Sequence, residues 1–103
     1  MWPFRRRKSP GQALEEDIED AIAVAGIEWR AFLAAGSTPR DADIRLLVGR
    51  FAADFKTVLE ARFESLAYAP AELVLLIIAQ GGVASGEFSR TQFEQGLGIV
   101  LPR

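Results

Sequence analysis

The chain contains neither cysteine nor histidine. The first absence excludes disulfides, thiolate zinc sites and cysteine nucleophiles. The second removes the commonest general base, the commonest transition-metal ligand and the usual switch near neutral pH. Lysine is scarce too: Lys56 is the only one after residue 8, and its spacing puts it on an exposed helix face. The single tyrosine, Tyr68, stands beside a proline break, where packing is expected. Gly81-Gly82 follows a helical pattern rather than a strand and lacks the Lys-Ser/Thr of a phosphate-binding loop. No catalytic constellation assembles from what remains, so no enzyme activity, no cofactor, no metal and no small-molecule substrate are expected.

Long apolar runs are also missing. The longest, Leu73 to Ala79, falls far short of the roughly 18 residues a membrane span needs. Acids follow the N-terminal arginines where a secretory signal would place an apolar stretch, so a cytoplasmic location is expected.

The composition suits one compact domain: 103 residues, 50% hydrophobic and 25% charged. The net charge of −2 hides an asymmetry. Residues 1–10 carry Arg5, Arg6, Arg7 and Lys8 with no acid, a charge of +4, and the rest carries 8 bases against 14 acids, a charge of −6. A basic arm thus precedes an acidic body, which is a poor non-specific binder of nucleic acid or anionic lipid.

The periodicity predicts an all-α fold, a small three- to four-helix bundle (residues 12–103) with a flexible basic arm (residues 1–11). Ser9-Pro10-Gly11 breaks the chain after the arm. A first helix is expected over 12–35, with the stripe Leu14, Ile18, Ile22, Ala25, Trp29 and Phe32. The acids Glu15 to Asp20 favour its N-terminal end, and Gly36 stops it. A second helix is expected over 39–66, with Thr38 as N-cap, Pro39 as the first helical residue and Asp41 at N3. Its stripe is Ile44, Val48, Phe51, Phe55, Leu59, Phe63 and Leu66; Asp41–Arg45, Arg50–Asp54 and Lys56–Glu60 are spaced as i,i+4 pairs. At roughly 40 Å it would be long for so small a domain. A third helix, 71–80, is apolar nearly all round and ends at Gly81-Gly82. Ser89-Arg90-Thr91-Gln92 reads as a capping box that opens a fourth, 89–97, before a partly packed tail. No strand pair carries a hairpin turn signal.

Four features bear on function. In the arm, Trp2 and Phe4 beside Arg5, Arg6, Arg7 and Lys8 suit an anionic membrane surface, at about 1 kcal/mol per cation. The same residues suit a protein partner, whose commonest anchors are aromatics and arginine, or nucleic acid, or simply a solvated tail. The acidic run Glu15 to Asp20 is read as a helix start rather than a cation site, because no second element supplies paired ligands. It is also placed to fold back on the arginines. Residues 81–92 resemble an EF-hand loop in spacing, with Gly86 sixth, Phe88 eighth and Gln92 twelfth. Gly81, Val83 and Ser85 stand where carboxylates are needed, so a loop pairing two helices without calcium is expected. Residues 81–97 also read as a helix-turn-helix offering Arg90, Thr91 and Gln92 to base edges, against Glu87, Glu94 and the acidic body.

The second and third helices offer more apolar surface than two neighbours would cover. Phe51, Phe55 and Phe63 on one, with Leu73, Leu76 and Ile77 on the other, are the candidate docking residues. The expected function is a non-enzymatic assembly module that binds a protein partner or a second copy through a helix face. Its arm serves as a tether to an anionic membrane surface or to the partner. A nucleic-acid-binding regulator, using the arm and residues 81–97, is the alternative.

Overall fold

A computed structural model describes residues 10–102; the arm residues Trp2, Phe4, Arg5, Arg6, Arg7 and Lys8 lie outside the described residues. Among the described residues there are four α-helices and no strand: α1 (Pro10–Ala35), α2 (Ile44–Arg62), α3 (Ala71–Ala84) and α4 (Arg90–Leu97). A single 3-10 turn, Glu64–Leu66, lies between α2 and α3. The fold is a small all-α bundle, as the periodicity predicts.

Three helices have boundaries that local signals misplace. The first begins at Pro10, so the Pro10-Gly11 pair expected to break the chain after the arm opens α1 instead, as proline is tolerated in a helix's first turn. The second begins at Ile44, not Pro39. Pro39 opens a separate turn, in which the Ala42 amide donates to the Pro39 carbonyl at 3.1 Å, and Asp43 is the N-cap, accepting from the Arg45 amide at 2.7 Å. Thr38 caps nothing and is buried. The same helix ends at Arg62 because Phe63 turns extended (φ −129°, ψ 100°), which lets the 3-10 turn tuck Leu66 into the core. None of the three expected i,i+4 pairs closes as an ion pair; the Arg45 guanidinium donates instead to the Gly96 carbonyl at 2.9 Å.

The third helix runs through Gly81-Gly82 to Ala84 rather than stopping there. Glycine in a helix interior costs roughly 1 kcal/mol relative to alanine, and here the space it leaves is used. A Cβ on Gly81 would fall inside Ala25 and lie 3.0 Å from both the Gly26 nitrogen and the Ile22 carbonyl oxygen. A Cβ on Gly82 would strike the Phe93 ring. With residues 81–84 helical, the EF-like reading of that segment does not hold. The loop that remains turns at Gly86, whose φ of +80° suits glycine.

The fourth helix starts as its sequence predicts. The Ser89 hydroxyl accepts from the Gln92 amide at 3.1 Å, and the Gln92 side chain accepts from the Ser89 amide at 2.7 Å. It ends in a left-handed Gly98 (φ +67°), with the Gly98 and Ile99 amides both donating to the Glu94 carbonyl. The tail is then pinned: Arg90 donates to the Leu101 and Pro102 carbonyls, and Leu101 packs into the core.

The helices meet in two different ways. The α1–α3 seam is built from small residues (Ala21, Ala25 and Gly26 facing Gly81), so the backbones come close. The helices run side by side in the same direction. Asp17 takes a hydrogen bond from Ser65 just ahead of α3, and Arg30 donates to Ser85 at its end. By contrast, α1 meets α2 through rings. Trp29 stacks on Phe51 at 4.1 Å and 5°, Phe51 stacks on Phe55, and Phe32 stands edge-on to both Trp29 and Phe51. Phe88 and Phe93 close on Trp29 from the other side, and the Trp29 indole N–H donates to the Ile78 carbonyl at 2.9 Å. Trp29, at 0% exposure, is therefore the residue that joins all four helices.

Candidate functional site

Small residues draw α1 onto α3, while bulky rings hold α1 away from α2. The outcome is a groove between α1 and α2 with a volume of ≈ 620 Å³. Its floor is the outer edge of the aromatic core (Phe32, Phe51 and Phe55), with Val58 beside them and Ala31, Ala35 and Ala53 on the walls. Glu28, Arg50 and Asp54 stand on the lip, and Ser37 and Thr38 close one end. Arg50 and Asp54 do not pair with each other or with any other described residue. Thr38 is only 4% exposed, and its hydroxyl meets no hydrogen-bond partner among the described residues. Buried hydroxyls are nearly always bonded. The groove thus combines an apolar floor, three charges without an ion-pair partner among the described residues, and a polar end.

A second, smaller groove of ≈ 350 Å³ runs between α2 and α3. It is lined by Ala52, Ala69, Ala71, Val74, Leu75 and Ile78, with Lys56 as the only charged residue.

The residues singled out for docking separate into two sets. Phe51, Phe55 and Ile77 are buried and serve the chain's own packing rather than forming an outer face; Trp29 and Phe32 of α1 pack on Phe51. Phe51 and Phe55 still show an edge at the groove floor. Phe63, Leu73 and Leu76 are half-buried against the same core. The large apolar side chains that are exposed are others: Tyr68 at 98%, Val100, Ile27 at 66% and Leu46. Tyr68 does not pack as expected; it projects from the turn before Pro70.

Of the three residues offered to base edges by the helix-turn-helix reading, Thr91 is exposed and the other two are engaged within the chain. Arg90 is engaged by the tail carbonyls and lies 4.0 Å from Glu94, and Gln92 is held in the capping box. Glu87, in the connecting loop, pairs with Arg40. Among the described residues no group of acids is placed to hold a metal ion, and no helix is long and apolar enough to cross a membrane.

The sequence contained the groove's residues but not the groove. Phe32, Phe51 and Phe55 read as a core stripe, and Arg50 and Asp54 as an ion pair; the unpaired lip follows only from how far α1 and α2 stand apart. No family model, no curated protein and no solved structure matches the chain.

Proposed function

We propose that this chain is a non-enzymatic assembly module that binds another protein chain in the α1–α2 groove, with its N-terminal arm as a second contact. The observation that carries this reading is the groove itself: an apolar floor where half-buried Phe32 and the edges of buried Phe51 and Phe55 line the space between two helices, with the lip charges of Glu28, Arg50 and Asp54 unpaired among the described residues. An extended segment or helix bearing large apolar side chains would bury its anchors on Phe32, Phe51 and Phe55, where aromatic contacts add about 0.5–1.5 kcal/mol beyond area burial. Glu28, Asp54 and Arg50 would then fix its register, because misplaced like charges cost more than correct pairs gain. The arm adds affinity through effective concentration without needing a pocket of its own.

A photo-crosslinking side chain placed at Ala31, exposed on the groove wall, tests this in the cells that make the protein. A discrete adduct is expected at position 31 and none at Gln95, which is exposed on α4 and outside the groove. No adduct at position 31, or equal smears at both positions, would overturn the reading.

A further inference from the structure

Resting on that reading of the groove, we propose that its occupant is the N-terminal arm of a second copy of this chain, so that two copies exchange arms. Chemistry, charge and reach select this occupant.

The floor asks for rings, and Trp2 and Phe4 are the only aromatics of the chain outside the described residues. The lip carries Glu28 and Asp54, the arm carries Arg5, Arg6, Arg7 and Lys8, and opposite charges at the rim steer and orient docking. Arg50 is the single like charge on the lip, and its guanidinium suits the face of an indole ring better than a cation. At the closed end, the buried Thr38 hydroxyl meets a segment whose backbone amides and carbonyls supply the missing hydrogen bond.

Reach decides between the chain's own arm and another's. From Pro10 to Phe32 α1 climbs 22 residues, about 33 Å at the helical rise. Trp2 precedes Pro10 by 8 residues, which span about 26–29 Å even when fully extended. The Trp2 backbone of the same chain therefore stops short of Phe32 and Thr38 even with all eight residues fully extended along α1 and none spent on reversing direction at Pro10, and holding the arm in that one conformation carries a large entropic cost. The α2–α3 groove is nearer, because Asp17 bonds Ser65 close to where that groove opens, but its one charged residue is Lys56, of the same sign as the arm. A second copy brings an identical arm without the tether limit. Two arms exchanged into two grooves give a closed two-fold pair rather than an open chain.

Sedimentation equilibrium of full-length chains, from micromolar to near-millimolar concentration, tests the exchange. The arm variant is Trp2→Ala with Phe4→Ala; the groove variant is Ala31→Trp, whose added ring fills the groove from an exposed position. The parent is expected to reach twice the mass of a single chain, and each variant alone to associate at least about ten-fold more weakly. An equimolar mixture of the two variants should pair again, because one intact arm meets one intact groove. Circular dichroism confirms that Ala31→Trp is folded; Asp54→Arg, on the exposed lip, takes its place if it is not. A parent that stays single at every concentration would overturn the proposal, as would variants that pair like the parent or a mixture that does not pair. A single-chain parent that nevertheless gives an adduct at position 31 with another protein would leave the docking reading standing and the second-copy proposal refuted.

Discussion

Replacing Gly81 with alanine separates two accounts of why α3 contains paired glycines. In a helix interior alanine is favoured over glycine by roughly 1 kcal/mol, so propensity alone predicts that Gly81→Ala stabilises the protein. Gly49, in the exposed face of α2 with nothing within 4 Å of a built Cβ, follows that rule: Gly49→Ala is expected to gain about 0.5–1 kcal/mol. At Gly81 the methyl would sit inside Ala25 and 3.0 Å from the Gly26 nitrogen and the Ile22 oxygen, against 3.4 Å or more for ordinary contact. Two of these neighbours are α1 backbone, so no rotamer change relieves them; α1 and α3 must part. Overpacking of this kind costs about 1–3 kcal/mol, and parting also strains the Trp29–Ile78 hydrogen bond that crosses the same seam. Subtracting roughly 1 kcal/mol of propensity gain and adding about 0.5–1 kcal/mol for the strained hydrogen bond leaves a net loss of about 0.5–3 kcal/mol, with a fall in Tm of about 4–8 °C for each kcal/mol in a domain of this size. Thermal and urea unfolding followed by circular dichroism, with Gly49→Ala run beside it, gives the comparison. A Gly81→Ala protein as stable as its parent, or more stable, would refute the close-seam argument.

Three further substitutions probe other joints of the fold. Trp29→Phe removes the indole N–H donated to Ile78 and part of the ring stacked on Phe51, and urea unfolding should show a loss of about 2–3 kcal/mol; a loss below about 1 kcal/mol would mean the tryptophan is not the hub of the core. Ser89→Ala breaks the capping box of α4 and should cost about 1 kcal/mol in the same assay, with Ser89→Asp retaining most of the stability. Arg90→Ala releases the Leu101 and Pro102 carbonyls, and amide exchange at Ile99 and Leu101 should quicken about ten-fold while Ile77 and Ile78 are unchanged. Equal acceleration in the tail and in α3 would show that Arg90 acts on the whole fold instead.

What the sequence made legible follows from which forces are local. The α1 stripe from Leu14 to Phe32 and the Ser89–Gln92 box are set within a few residues of themselves, and both stand in the structure as read. Gly81-Gly82 misled because its local meaning, a helix stop, is overridden by Ala25 and Phe93, more than ten residues away in the chain. Thr38-Pro39 with Asp41 carries the fuller start signal, and Asp43 is a lone capping residue. The second prevails, with Ile44 brought against Gly96, where a Cβ would have no room. The break at Phe63 has no proline or glycine to mark it; it comes from Leu66 reaching the core. The groove was least legible of all, because it depends on the difference between two interfaces, small residues at α1–α3 and rings at α1–α2, and no single helix contains that difference.

Because the chain has no cysteine, one introduced thiol reports on the groove without background. Ala31→Cys and Gln95→Cys, both exposed, would be labelled with a maleimide in dilute purified protein and again in the cells that make it. If the α1–α2 groove is where this chain meets its partner, both thiols react fully when dilute, and only the one at position 31 is protected in the cell. Equal reactivity of the two positions in both settings would contradict the docking role of the groove.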